Sequence, residues 1–340
     1  MRKSLKVTAL VDASTVPAED PEFQYPKGKM ITEYHVIEAL RLMGHRVSVI
    51  GVFDNLESII RDLKKIQPDL VFNLTEQYYG ERLWDKNITA VLELLQIPYT
   101  GTGTTGLMLC RDKRLCKELL GVHKIRVPNF VSLPWNRKIR ISKKIHYPLV
   151  VKPALADGSE GISNASLVFT EQALRQRADF IHARWEQDVI AEEYIEGREL
   201  YVTVLGNKQL KVFPARECLF DANNENGPCL ATYRVKWNDA YRQRWGIHFG
   251  FAELDAETHR QASRICKRAF RALHLRDYAR IDLRLRPDGK FYILEANPNP
   301  DLAYGEEVAE AAEKAGCTYE NLIAQIINQT LKRKPRIYTD

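Results

Sequence analysis

The sequence predicts an α/β protein, with a parallel α/β unit at its amino end and α+β segments built on hairpins through the remainder. Three observations carry that reading. Short apolar runs alternate with segments of helical period across residues 6–74, the βαβαβ pattern of a parallel sheet. Residues 200–205 and 208–213 flank Gly206-Asn207, and two further strand-like runs flank Pro287-Asp288-Gly289, so both pairs read as hairpins. Between them, residues 217–247 are long, polar and without periodicity, which in a compact domain marks a functional lid.

A chain of 340 residues buries a substantial core and accommodates two or three domains at roughly 100 to 200 residues each. The net charge of +6 is spread thinly, with acidic residues interleaved, and does not make the basic stripe of a nucleic-acid binder. The densest basic patch, Lys332-Arg333-Lys334-Pro335-Arg336, reads as a frayed terminus. Six cysteines, at 110, 116, 218, 229, 266 and 317, show no CxxC spacing and are expected as free thiols in a reducing compartment. The start runs into the strand-like KVTALVDAS without a long apolar segment, and no apolar run approaches a membrane span. A cytoplasmic protein without nucleic-acid or membrane partners is expected.

Taken in order, Lys6 to Val11 is a buried strand, followed by a polar loop with Pro17, Pro21 and Pro26. Val36, Ile37, Leu40 and Met43 fall at helical spacing with Gly44 as the stop, Val47 to Val52 is a second strand, Leu56 to Ile66 a helix and Leu70 to Leu74 a third strand. The loop Thr75 to Arg82 then lies where open α/β sheets bind ligands, at the carboxyl ends of strands. Glu76 within it is a candidate substrate contact. Ile88 to Leu95 is helical, Ile97 to Tyr99 a short strand, and TGTGTTG over residues 100–106 a flexible interdomain hinge, since it lacks the spacing of a phosphate loop. One helix, Leu107 to Leu120, carries Asp112 and Lys113, and Val127-Pro128 starts an extended segment.

His146 to Pro153 is a buried strand ending in Lys152, and Asp157-Gly158-Ser159-Glu160-Gly161-Ile162 is a tight turn after it. A lysine at a strand end beside a turn rich in backbone N–H groups is a grip for a polyphosphate. Arg175, Arg177 and Arg184 cover a solvated helix face. Val189 to Leu200 joins two strands through Glu196-Gly197, Thr258 to Leu273 is an amphipathic helix, and helical stretches at 306–315 and 321–330 close the chain.

The second hairpin carries the chemistry. Arg280, Asp282, Arg284 and Arg286 alternate with Ile281, Leu283 and Leu285, the period of a half-buried strand. Glu295 and Asn297 share a face of the next strand. A two-residue Asp288-Gly289 loop pairs Pro287 with Lys290, Asp282 with Glu295 and Arg280 with Asn297, whereas a three-residue loop would break that facing. Two carboxylates, an amide and a guanidinium on one patch are costly to assemble unless ions lie between them. Hard oxygen donors suit Mg²⁺ with phosphate oxygens and waters among its ligands. A surface ladder of paired charges accounts for the hairpin equally well when it is taken alone.

Lys152-Pro153, Gly158-Ser159-Glu160-Gly161, Glu192 to Glu199, Ala279-Arg280-Ile281-Asp282 and Glu295-Ala296-Asn297 occur in the order and spacing of the ATP-grasp ligases. From about Pro98 onward the chain resembles the D-alanine–D-alanine ligase family, including IPYTGTG with Asp112-Lys113 at the junction. The resemblance implies an ATP-grasp architecture, with an amino-terminal domain over 1–103 and two α+β subdomains, 104–195 and 196–340, clamping ATP under the lid. It implies that Asp282, Glu295 and Asn297 hold two Mg²⁺ ions, with Mn²⁺ a substitute, against phosphates contacted by Lys113, Lys152 and the turn at Gly158. Glu192, Glu193, Tyr194, Ile195 and Leu294 would line the adenine, Glu199 would take the ribose, and Lys236 in Tyr233-Arg234-Val235-Lys236-Trp237 would reach the γ-phosphate. Arg280 would stabilise the oxyanion, with Ser159 in the catalytic set.

The reaction so implied joins a carboxylate to an amine through an acyl phosphate, releasing ADP and phosphate, with small amino acids or amines as partners and a homodimer allowed. Some positions depart from the family pattern. Its Gly-rich first loop is not recognisable in Val11 to Thr15, residues 73–85 replace its His-Gly-x-x-Gly-Glu element, and Thr-x-Pro-Gly becomes Pro298-Asn299-Pro300-Asp301. Asn299 and Asp301 would meet the second substrate, and an acidic Asp301 would repel a free carboxylate there and suit an amine or cationic group. A ligase adding amino acids to a peptide or protein terminus, and a nucleotide-binding regulatory module without chemistry, are the alternatives.

Overall fold

A computed structural model describes residues 4–13, 32–137, 141, 145–156, 158–220 and 230–333. β1 (Lys6–Asp12) is buried from Val7 onward and runs parallel between β2 (Arg46–Val52) and β3 (Leu70–Asn73). The crossovers are α1 (Thr32–Leu42) and α2 (Leu56–Ile66), the latter capped by Asn55 and closed by Gln67 in the left-handed conformation. After α3 (Asp85–Leu94), Tyr99 adds one parallel bridge to Val71. The loop carrying Pro17, Pro21 and Pro26 lies outside the described residues, as do Ser14 and Thr15.

The TGTGTTG segment is a buried joint, in contrast to the flexible hinge its glycines predict. Thr100 and Thr102 are fully buried, Gly101 N donates to Asp277, and Thr102 N donates to Asn299 Oδ1 at 2.7 Å. Residues from Thr104 onward enter α4 (Thr104–Arg111). Close approach explains the glycine at 101, where a Cβ would stand 2.3 Å from Asn299 Oδ1. The single helix expected over 107–120 breaks at Asp112, whose side chain accepts from Arg114 N and Leu115 N as the cap of α5 (Lys113–Val122). A capping carboxylate satisfies the helix start at the cost of ending the helix before it.

A second, antiparallel sheet contains β4 (Phe130–Leu133), β5 (Leu149–Pro153), β6 (Leu167–Val168) and β7 (Val189–Glu193) in the order β4-β7-β5-β6, covered by α6 (Glu171–Trp185). Arg177 of α6 folds back onto the Gly161 carbonyl at 2.7 Å and Ser166 Oγ at 3.2 Å, so it is not on the solvated face expected for it.

The third sheet holds β8 (Arg198–Gly206), β9 (Leu210–Val212), β10 (Arg216–Leu219), β11 (His248–Phe251), β12 (Tyr278–Leu285) and β13 (Phe291–Pro298), in the order β11-β10-β8-β12-β13 with β9 on β8. The expected lid is partly regular. Residues 217–219 belong to β10, 221–229 lie outside the described residues, and two short helices, α7 (Tyr233–Trp237) and α8 (Asp239–Trp245), follow under caps from Thr232 and Asn238. On the other side of the sheet, α9 (Ala256–Ala272) buries Cys266, Ala269 and Phe270 against Ile281, Leu283 and Leu285. The last helices, α10 (Glu307–Lys314) and α11 (Tyr319–Leu331), pack Val308, Leu322 and Ile323 with Val7, Leu40 and Phe72. The carboxyl end therefore completes the core of the amino-terminal sheet.

Arg333 belongs to that closure and not to a frayed tail, because its guanidinium lies 3.1 Å from buried Asp277 and over the Tyr99 ring. Lys334, Pro335 and Arg336 lie outside the described residues. The five described cysteines are free and buried; Cys229 is not among them. Among the described residues no helix is long and apolar enough to cross a membrane.

Candidate active site

The hairpin turn has three residues, since Arg286 N donates to the Lys290 carbonyl around Pro287-Asp288-Gly289. On its own this would move Asp282 off Glu295. A bulge cancels it: Leu283 pairs with Ile293, but Asp282 pairs with Glu295 and Arg280 with Asn297, leaving Leu294 as the extra residue of β13. The predicted facing holds for a reason absent from the sequence reading.

Because side chains alternate along a strand, Arg280, Asp282 and Arg284 share the site face of β12 with Thr203, Tyr201 and Glu199 opposite them on β8. A cavity opens there, lined by Lys152, Ser159, Glu192, Glu193, Tyr194, Ile195, Glu199, Lys236, Asp282, Arg284, Leu294 and Glu295 with apolar neighbours. The second sheet contributes the lysine end of β5 and the carboxylate end of β7, the third sheet the hairpin, and α7 the lid lysine.

Charge in the cavity is balanced pair by pair. The buried Glu192 carboxylate lies between Lys152, 2.8 Å from Oε1, and Lys117, 3.3 Å from Oε2. Lys117 also donates to the carbonyl of the bulged Leu294 at 2.7 Å. Lys113 stands 3.3 Å from Glu295 and donates to the Ala156 carbonyl. Burial would raise Glu295, but Lys113, Lys152, Lys236 and Arg280 outweigh it and hold its carboxyl at about 2. Burial raises Asp282, against the pull of Arg280 and Lys236. Arg280 grips Asp282 through Nε–Oδ1 at 2.8 Å and NH2–Oδ2 at 3.1 Å, and reaches Glu307 at 3.3 Å.

Several predicted residues point elsewhere. Glu193 lines the cavity, yet its carboxylate accepts from Asn129 Nδ2 and His146 N, each at 2.9 Å. Ser159 Oγ donates to the carbonyl of Ala231 at 3.1 Å, and the Gly158 carbonyl accepts from Trp237 Nε1 at 3.1 Å, so this turn is tied to the segment that runs into α7. Asn299 is engaged with the buried joint at Thr102. Asp301 accepts from Thr32 Oγ1 and Ala303 N, in an acidic patch with Asp12, Glu33, Glu76 and Glu306. Burial and then the Glu76 charge push Asp12 up to about 7, while burial, Glu307 and Asp301 push Glu306 up to about 7.

Sequence alone gives no place in the site to Lys117, Arg284 or Glu307, which the structure brings to its walls. Lys117 had a signal, its position four residues after Lys113 on one helix face. Arg284 was visible in the strand alternation and Glu307 only as an acidic residue opening a helix.

Among the described residues no group of three or more His, Cys, Asp and Glu side chains is placed to hold a metal ion. Asp282 and Glu295 with the amide of Asn297, whose Nδ2 is buried without a partner, nevertheless offer the hard oxygen donors that suit Mg²⁺ when phosphate oxygens and waters complete its shell.

Two antiparallel sheets facing across a lysine-rich cavity, with a carboxylate hairpin at the floor and a lid above, define an ATP-grasp protein. Residues 123–328 match the model of the D-ala D-ala ligase C-terminus family. The chain is 30% identical over 334 residues to an uncharacterized protein, y4sG, of Sinorhizobium fredii, covering 96% of this chain and 94% of that protein. It is 28% identical over 277 residues to D-alanine–D-alanine ligase A of Bacillus cereus, covering 80% and 84%. The fold matches the crystal structure of D-alanine–D-alanine ligase from Bacillus anthracis complexed with ATP at a TM-score of 0.71 and 20% identity, covering 97% of this chain and 98% of that one. The chain belongs to the D-Ala-D-Ala ligase-like family of ATP-grasp proteins.

Proposed function

We propose that this protein is an ATP-dependent ligase joining a carboxylate to an amine through an acyl phosphate, with release of ADP and phosphate. The observation that carries this reading is the convergence of Lys113, Lys152 and Lys236 on the cavity that also receives Asp282 and Glu295. Such a mixture attracts a polyphosphate and suits little else. Similarity to a ligase crystallised with ATP supports the same nucleotide.

In this reading Lys113 and Lys152 bind the phosphates, and Glu192 with Lys117 holds Lys152 in place. Tyr194, Ile195 and Leu294 line the base, and Glu199 takes the ribose. Asp282, Glu295 and Asn297 would hold Mg²⁺, which neutralises phosphoryl charge when bound. Arg280 would stabilise the oxyanion formed as the amine attacks. The lid, latched at Gly158 and Ser159, excludes water from the acyl phosphate.

The acidic patch of Asp12, Glu33, Glu76, Asp301 and Glu306 favours an acceptor that presents a cationic amine without a neighbouring free carboxylate. Glu76 and Asp301 are exposed, so an amine carried on a peptide fits as well as a free one. Phosphate release from ATP and Mg²⁺ across a panel of amino acids, amines and short peptides tests the proposal. Release stimulated by a carboxylate donor together with an amine is the expected result. ATP binding without acceptor-dependent release or amide product across the panel would sink it.

A further inference from the structure

Arg284 lines the same cavity and is given no role by the ligase reading. It faces Glu199 directly across the β12–β8 ladder. Its guanidinium is shared: NH2 donates to Glu199 Oε2 at 2.6 Å, and NH1 donates to the Gly197 carbonyl at 2.8 Å. Its central carbon lies 5.4 Å over the Tyr194 ring. The other oxygen of Glu199 accepts from Tyr201 Oη at 3.0 Å. Both oxygens of the carboxylate therefore have a donor, and its orientation is held from two sides.

As a stability device this pair is a poor choice. Arg284 is 4% and Glu199 7% exposed, and taking both charges out of water costs about as much as their attraction returns. An apolar pair of the same volume would hold β8 to β12 equally well. What the ion pair adds is an oriented carboxylate at the cavity wall.

The second bond has its own consequence. Residues 194–197 carry the chain from β7 in the second sheet to β8 in the third. Gly197 has φ +135°, and a Cβ there would stand 2.1 Å from the Leu285 carbonyl, so this crossover is pressed against the end of β12. By gripping the Gly197 carbonyl, the Glu199 carboxylate and the Tyr194 face, one guanidinium fixes the stretch expected to meet the sugar and base.

We propose that Arg284 is a positioning residue for the nucleotide, holding Glu199 and the Tyr194–Gly197 crossover against the ribose and so setting a preference for a ribonucleotide. The inference rests on the ATP reading of the cavity. Binding of ATP and of dideoxy-ATP by the full chain, measured calorimetrically with Mg²⁺ present, separates the two. The wild type is expected to bind ATP roughly tenfold more tightly than dideoxy-ATP, the worth of a hydrogen bond to a charged group. Arg284→Met should bind ATP no better than the wild type binds dideoxy-ATP, and should bind the two nucleotides alike.

Arg284→Lys keeps the charge but cannot span Glu199 and Gly197 together, so it should lose most of the preference with the fold intact. Glu199→Gln should reproduce the loss of preference, and adding Arg284→Met to it should reduce that preference no further. A tenfold preference that survives in Arg284→Met or Arg284→Lys, additive losses in the double variant, or no preference in the wild type would each overturn the proposal. A wild type that binds neither nucleotide would instead overturn the ATP reading beneath it.

Discussion

Asp282 stands opposite Glu295 although the turn joining their strands has one residue too many for that register. The bulge at Leu294 absorbs the excess and turns the Leu294 carbonyl toward Lys117. Lys117 therefore stabilises both the irregular strand that sets the hairpin facing and the Glu192 carboxylate that anchors Lys152.

Removing that ammonium should be costly. Lys117→Met leaves the Leu294 carbonyl without its donor and Glu192 with one cation in place of two, inside a site where Lys117 is 2% exposed. Breaking a buried pair costs about 3–5 kcal/mol, and because Lys152 remains the loss should fall near the lower end, about 3 kcal/mol. Urea unfolding reads it directly. A midpoint equal to the wild type's would show that Glu192 does not need its second cation.

Arg280 poses a related problem, because Asp282 occupies two of its donors while Glu307 takes the third contact. Were Asp282 to hold a metal ion as proposed, Glu307 would be the carboxylate left to aim the guanidinium. Glu307→Gln should lower kcat roughly tenfold while leaving the KM for ATP within about twofold, the signature of support lost only in the transition state. A rise in that KM with kcat unchanged would place Glu307 in nucleotide binding instead.

The parts of this site legible in the sequence were those with a short period. Alternation placed Arg280, Asp282, Glu295 and Asn297 on facing strands, and the Lys152 strand end and Ser159 of the turn after it line the same cavity. What escaped depends on partners far apart in the chain. Lys117 finds Glu192 and Leu294, Arg333 finds Asp277, and Asn299 closes on Gly101 and Thr102; none of these separations leaves a local pattern. The helix over 107–120 was continuous by period alone, and only the capping geometry of Asp112 breaks it. Bulges are equally silent, because the turn length and the extra residue at Leu294 offset each other.

The acidic patch should make stability depend on pH in an unusual direction. Asp12 and Glu306 are raised from 3.8 and 4.5 to about 7 on folding, by burial first and then by Glu76 for Asp12 and by Glu307 and Asp301 for Glu306. A carboxyl raised on folding binds its proton more tightly in the folded state, so its contribution is fully present below the unfolded value and is lost as pH rises through about 7. An Asp12→Asn, Glu306→Gln variant should therefore melt above the wild type at about pH 8, with the gap narrowing toward about pH 5. A gap independent of pH would show that these two carboxyls do not titrate in that window. A small diamine should raise the wild-type melting temperature at the upper pH and leave the variant less affected, if the patch receives a cationic acceptor.

The latch makes the last prediction. Trp237 is half exposed, yet its indole N–H donates to the Gly158 carbonyl while Ser159 Oγ donates to Ala231 and Tyr233 N to Ile162. These bonds join residues 231–237 to the turn that follows β5, beside the cavity that Ser159, Ala231 and Lys236 line. Trp237→Phe keeps an aromatic side chain and deletes the donor, a loss of about 1 kcal/mol, so the open lid should be about fivefold more populated. In the proposed reaction, water would then reach the acyl phosphate more often. The ratio of phosphate released to amide formed should rise several-fold, while the melting temperature stays near that of the wild type because the bond lies at the surface. Measuring phosphate and amide product from the same reaction checks it. A ratio that stays at the wild-type value would mean that closure rests on Ser159 and Tyr233 alone and that the indole bond contributes nothing to keeping water out.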